Sequence, residues 1–257
     1  MNITSLLESV NRMDSETAHI LDVLGENESY LFRGLFTEIE SIRKSLMDEQ
    51  RRLDASRAGY NAEYKAACRL LKQACRDDLK RAWKNKDGQI CACDGFVGIR
   101  LTDPKYDLPL ADTDKQVIDL DSLISSAVKG ISTDAENLPD AAALKTYHKV
   151  ISAEYKAKCN AKELRYLKDA NNGYLPIWYR FEANGAYVNL EYLLLVLEII
   201  PDAKFYTRES AVSAIYAKGE NAEAIVLPVR ASETAESTIR ANEDSAALRA
   251  GTYFSVA

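Results

Sequence analysis

The chain has little of what membrane insertion, export or metal chemistry requires. No stretch approaches the roughly 18–20 continuous apolar residues of a membrane span, and the longest apolar cluster, Leu193 to Ile200, is interrupted by Glu198. Met1 to Val10 carries Glu8 and no basic segment, so no secretory signal is expected and the cytoplasm is the expected compartment. Histidine is confined to His19 and His148, and the five cysteines are an odd number at spacings that match no disulfide framework, so free thiols are expected. Cys91 and Cys93 form a C-x-C pair that a strand would turn to one face, as two ligands of a soft metal need. No second such pair accompanies them, and small buried thiols in a strand are the commoner role for this pattern. A Gly-rich phosphate loop, a nucleophile elbow and a His pair at ligand spacing are all missing, so a non-enzymatic protein without metal or cofactor is expected.

Cationic residues are unevenly placed. The formal charge of the 257-residue chain is −6, yet between Arg43 and Lys86 thirteen Lys and Arg face six Asp and Glu, a local +7 that leaves −13 for the remainder. An anionic partner would therefore meet the first third of the chain. That part is helical in pattern from Ile3 to about Lys84, with a break around Gly25, Glu26 and Asn27. Ser29 is a candidate cap for a second helix through Leu31, Leu35, Ile39, Ile42 and Leu46. From Met47 to Trp83 there is no proline and only Gly59, which predicts one long helix or two meeting near that glycine. Tyr60, Tyr64, Ala67, Leu71, Cys75 and Leu79 form an apolar stripe; Lys65, Arg69, Lys72, Arg76, Lys80 and Lys84 form a basic stripe beside it.

Past Asp87 and Gly88 the texture turns to short β-prone runs. Gln89–Cys93 and Phe96–Leu101 flank Asp94-Gly95, which favours a two-residue hairpin turn. The segment from Asp103 to Asp114 reads as a loop, followed by a short helix around Leu123 and Ile124 capped by Asp119 or Asp121. A further loop spans Gly130 to Pro139, and a helix runs from Ala141 to Lys168. Strands are expected at Ile177–Glu182 and Ala186–Val188, then a helix over Leu190–Ile200 capped by Asn189 and stopped by Pro201. Three strands follow at Ala203–Thr207, Val212–Lys218 and Ala222–Leu227, and the residues after Arg230 read as a helix of unassigned packing or a tail. The expected class is α+β: a helical region over 1–86, a mixed α/β domain over 87–230 with a β-α-β-β-β C-terminal unit, and a tail over 231–257.

The order of these pieces resembles the DNA sliding clamp family, the processivity factors of replicative polymerases. Tyr187-Val188-Asn189-Leu190-Glu191-Tyr192-Leu193-Leu194 resembles the start of a clamp's last helix, and Pro201-Asp202-Ala203-Lys204 its continuation into the next strand. Ala222 to Arg230, closing on Pro228-Val229-Arg230, resembles the terminal strand, and Cys93-Asp94-Gly95-Phe96 the family's Asp-Gly hairpin. Residues 1–86 match nothing in that pattern. The resemblance implies a truncated clamp-like protein, of phage or prophage type, acting in DNA replication or processing. The chain has room for about one clamp domain, so a closed ring would demand a homo-oligomer. The Asn189–Ile200 helix has no Lys or Arg, which argues against encircling DNA through it.

In clamps, partner proteins insert a short peptide into a pocket built from the hairpin and the terminal strand. The resemblance implies such a pocket at Asp94, Gly95, Phe96, Val97, Leu227, Pro228, Val229 and Arg230; the alternative is that Phe96 and Val97 pack a core and Pro228 ends an edge strand. The basic stripe could follow a phosphate backbone, which would make DNA a second partner, or could be a solvated helix face. A structural or host-interaction protein working through its helical N-terminus is the alternative to the clamp-like reading.

Overall fold

The computed structural model describes residues 3–24, 33–111, 118–131, 134–171, 173–230 and 235–253. The expected break at Gly25–Asn27, the Ser29 cap and Leu31 lie outside them, as do parts of the expected loops near residues 112–114 and 132–133. The architecture is α+β, with helices first and antiparallel sheet later. No helix among the described residues is long and apolar enough to cross a membrane.

The chain forms two compact units that divide at Tyr64–Lys65. The first, Met1–Tyr64 with Lys105–Pro109, holds α1 (Ile3–Leu24), α2 (Arg33–Arg57) and the start of α3 (Asn61–Lys72). The α2–α3 break falls where Gly59 takes φ +86°, a conformation that L side chains resist. Tyr64 is buried; its hydroxyl donates to the Asp48 carbonyl at 3.3 Å, and its ring meets Tyr106 edge-on at 6.0 Å.

The second unit corrects the expectation of helix to Lys84. α3 stops at Lys72; Asp77–Leu79 is a single 3₁₀ turn, and Trp83–Lys84 is strand β1. The cause is tertiary: the Cys75 N–H donates to the Asp94 carbonyl at 3.0 Å, which pulls the chain off the helical path. β2 (Ile90–Cys93) and β3 (Val97–Leu101) follow, and then α4 (Leu120–Lys129), whose Asp119 cap accepts from Ser122 N at 3.0 Å. The helix expected over Ala141–Lys168 is two, α5 (Ala141–Lys158) and α6 (Ala161–Asp169), because Asn160 and Glu163 form a reciprocal capping box. β4 (Trp178–Arg180), β5 (Tyr187–Asn189), α7 (Leu190–Ile199), β6 (Lys204–Tyr206), β7 (Ile215–Lys218), β8 (Ala222–Val226) and α8 (Glu236–Arg249) complete the order.

The expected β-α-β-β-β unit is present along the chain but its strands lie in two sheets. β4 and β5 pair with each other in a small sheet; the other six strands run β1-β2-β3-β8-β7-β6, all antiparallel. One face of the large sheet, with Cys91, Cys93, Tyr216 and Ile225, packs on Leu120, Ile124 and Ala127 of α4. Gly98 makes that approach close, since a Cβ there would lie 2.6 Å from the Leu120 side chain. Arg100 adds a polar tie: it meets Glu223 across the β3–β8 pair and Asp121 on α4 at 2.7 Å. α7 is apolar on nearly all sides and packs against α5, β5 and β8. The segment after Arg230 includes a packed helix: α8 lies on β4, where Arg180 N donates to Ser245 Oγ at 3.0 Å and Arg249 donates to the Arg180 carbonyl at 2.8 Å.

Candidate functional site

The hairpin between β2 and β3 turns one residue later than the sequence suggests. Cys93 pairs with Gly98, and Asp94 N donates to the Val97 carbonyl at 3.1 Å, which leaves Gly95-Phe96 at the tip instead of Asp94-Gly95. Asp94 is 2% exposed, and its carboxylate accepts from the N–H groups of Phe96 and Val97, both at 2.7 Å. Burial pushes this carboxyl above the ordinary carboxylate range, against the pull of those N–H donors. Gly95 takes φ +105° and donates to Cys93 Sγ at 3.2 Å; a Cβ there would meet Cys75 Sγ at 2.5 Å. A buried acid and a glycine thus fix the tip so that Phe96 lies over α7, stacked on Tyr192 at 5.8 Å with 9° between the rings.

The second wall comes from the chain leaving β8. Leu227 N donates to the Phe96 carbonyl at 2.9 Å, Pro228 has no N–H to offer, and Val229 N donates to the Tyr187 carbonyl of β5 at 2.7 Å. Leu227 to Val229 therefore pass from the large sheet to the small one, and Arg230 follows. They close a groove of about 270 Å³ lined by Phe96, Trp178, Tyr192 and the Leu227–Arg230 segment, with Ala170, Asn171 and Asn189 completing it.

Of the eight residues expected at the pocket, Phe96, Leu227, Pro228, Val229 and Arg230 line it. Val97 does not; it is fully buried and pairs with Val226 inside the sheet. Asp94 and Gly95 shape the turn without lining the groove. Sequence reasoning missed Trp178 and Tyr192 as wall residues. Tyr192 stands in the quoted Asn-x-x-Tyr stretch, three residues after the Asn189 cap that accepts from Glu191 N at 2.9 Å. Trp178 Nε1 is buried with no hydrogen-bond partner among the described residues.

The basic stripe is not a continuous row. Only Lys65, Arg69 and Lys72 stand on α3; Arg76 and Lys80 flank the 3₁₀ turn, and Lys84 is in β1. Arg69 pairs with Glu198 at 2.5 Å, Arg76 with Asp78, and Lys80 with Asp77 at 2.6 Å. Burial opposes ionisation of Glu198, but hydrogen bonds from Arg69 and Lys145 outweigh it and hold the carboxyl below its usual range. Three of the six cations thus already have counter-charges, and the regular spacing that phosphate tracking requires is lost at Lys72.

The five thiols are free. Burial pushes Cys91 up to about 12 and Cys93 up to about 11, so the C-x-C pair behaves as apolar core. Among the described residues no group of three or more His, Cys, Asp or Glu is arranged to hold a metal ion. Comparison with protein-family models, with characterised proteins and with solved structures returned no match.

Proposed function

We propose that the second unit is a non-enzymatic, clamp-like peptide-binding module, whose groove takes a short segment of a replication or DNA-processing protein. The observation that carries the reading is the junction of the hairpin tip and the Leu227–Arg230 segment around one concavity, joined by the Leu227 N–H to Phe96 carbonyl bond. Three aromatic or aliphatic walls and one exposed guanidinium, Arg230, suit a peptide with one or two hydrophobic anchors beside an acidic residue. The stripe from Lys65 to Lys84 contributes little to this reading because of its internal ion pairs.

The test is fluorescence polarisation with labelled peptides carrying paired Leu or Phe anchors, with and without a neighbouring Asp. Binding lost on Val229→Asp, with unchanged circular dichroism, is the expected result. No saturable binding by any anchor peptide, or equal binding by the variant, would overturn it. The alternative, an interaction protein working through its helical region, is favoured by the exposed apolar side chains on α1 and α2.

A further inference from the structure

The first unit leaves apolar side chains in water in an ordered way. Asp14 of α1 and Arg43 of α2 form an ion pair at 3.6 Å. They lie at equal sequence distances from the 25–32 connection, which is the pairing of an antiparallel helical hairpin. Val10 and Thr17 on α1 and Ile39 on α2 are buried. Leu6 and Met13 stand four residues before and three after Val10, and Ile20 stands three after Thr17; Leu35 and Ile42 stand four before and three after Ile39. Equal offsets from the facing positions put the two rows on the same side of an antiparallel pair. Met13, Ile20, Leu35 and Ile42 are 49%, 43%, 44% and 52% exposed. One face of the hairpin therefore carries two parallel apolar rows at seven-residue spacing with the crease between helices running down its middle.

We propose that this face is a receptor for one amphipathic helix of a partner protein, with an apolar stripe flanked by Lys or Arg, which completes a three-helix bundle. Charge decides the occupant. The next positions outward from the rows are Ser9, Glu16 and Val23 on α1 and Glu38 and Ser45 on α2; the charged ones, Glu16 and Glu38, are both acidic, exposed and without an ion pair among the described residues. The outward positions of a second copy laid on this face would offer these glutamates no cation, whereas a basic-flanked helix meets charge of opposite sign on both sides. The crease is one helix wide, which matches the mode in which anchors at i, i+3, i+4 and i+7 seat in a groove. This face shares no residue with the Phe96–Arg230 groove and its test does not depend on that reading.

The experiment uses the full chain and two labelled peptides of ~20 residues with the same Leu heptad stripe, one flanked by Lys and one by Glu. The expected result is saturable binding of the Lys-flanked peptide at least about tenfold tighter than the Glu-flanked one, weakened about tenfold or more by Ile42→Glu and, separately, by Met13→Glu. Both positions are exposed, so the variants keep the fold, which circular dichroism checks. Absence of binding, or equal binding of both peptides, overturns the proposal. So does a homo-oligomer in light scattering that Ile42→Glu dissociates, since the occupant is then a second copy.

Discussion

Replacing Arg100 by Met removes the guanidinium that pairs with two carboxylates between α4 and the large sheet. The Arg100, Asp121 and Glu223 side chains are only 17%, 29% and 14% exposed, so their charges are poorly served by water. Tyr216 also donates to Glu223, and Asn85 to Asp121 at 3.0 Å; neither can neutralise a charge. Breaking a buried ion pair by deleting one partner costs roughly 3–5 kcal/mol, and partial exposure here lowers that to roughly 2–3 kcal/mol. For a unit of this size the loss corresponds to a Tm lower by about 5–10 °C. Burial raises both carboxyl pKa values, but the hydrogen bonds outweigh it and hold Glu223 and Asp121 below their usual range. A depressed folded-state pKa stabilises above the unfolded value and ceases to do so as pH falls through the folded one. The difference between wild type and Arg100→Met should therefore be largest near pH 7 and shrink below about pH 4. Urea denaturation at pH 7 and pH 3 measures it. A loss under about 0.5 kcal/mol at pH 7, or an equal loss at both pH values, would show the trio to be no stronger than an ordinary surface pair.

Asp94→Ala leaves the Phe96 and Val97 N–H groups without their acceptor and should cost roughly 2–3 kcal/mol and any peptide affinity of the groove, read by denaturation and polarisation; wild-type stability would refute the role given to the buried carboxylate. Because burial raises the folded-state pKa of Asp94, its own titration should lower stability as pH rises through the carboxylate range, a slope that Asp94→Asn removes. A thiol reagent at pH 8 should label exposed Cys75 in the native protein and leave Cys91 and Cys93 untouched until denaturant is added; rapid labelling of all five would contradict their burial. Asn160→Ala should cost about 1 kcal/mol through loss of the α6 capping box, and an unchanged denaturation midpoint would count against it.

Local chemistry made much of this legible. Asn189 and Pro201 bracket α7 because a side-chain cap and a missing N–H act within a few residues, and the β2–β3 hairpin follows from alternation around Asp94-Gly95. Where the reading failed, a distant partner had intervened. The register of the hairpin shifts by one because the Asp94 carboxylate takes the Phe96 and Val97 N–H groups, and the bond from Cys75 N to the Asp94 carbonyl ends the helical path that the stripe through Leu79 continues in the sequence. Leu79 and Trp83 keep their apolar role, now in the core beneath α4. Asn160 and Glu163 carried a capping signal that the helix-favouring residues on either side obscured. In the groove, the two terminal segments were recognisable as peptide stretches, but Trp178 could be placed there only once β4 was seen to leave the large sheet.

The pairing of β3 with β8 joins residues 97–101 to residues 222–226. On the ribosome, the hairpin of β2 and β3 emerges long before its other neighbour exists, and β3 waits with one unpaired edge and a Val, Ile and Leu face in water. Such an edge is a template for pairing between nascent chains. The large sheet can close only after nearly the whole chain has been synthesised, so its folding is late, non-local and slow compared with that of the α1–α2 hairpin. A chain stopped before Ala222 should thus retain folded helices and aggregate through β3, and the yield of the intact protein should depend on how quickly β8 reaches that edge.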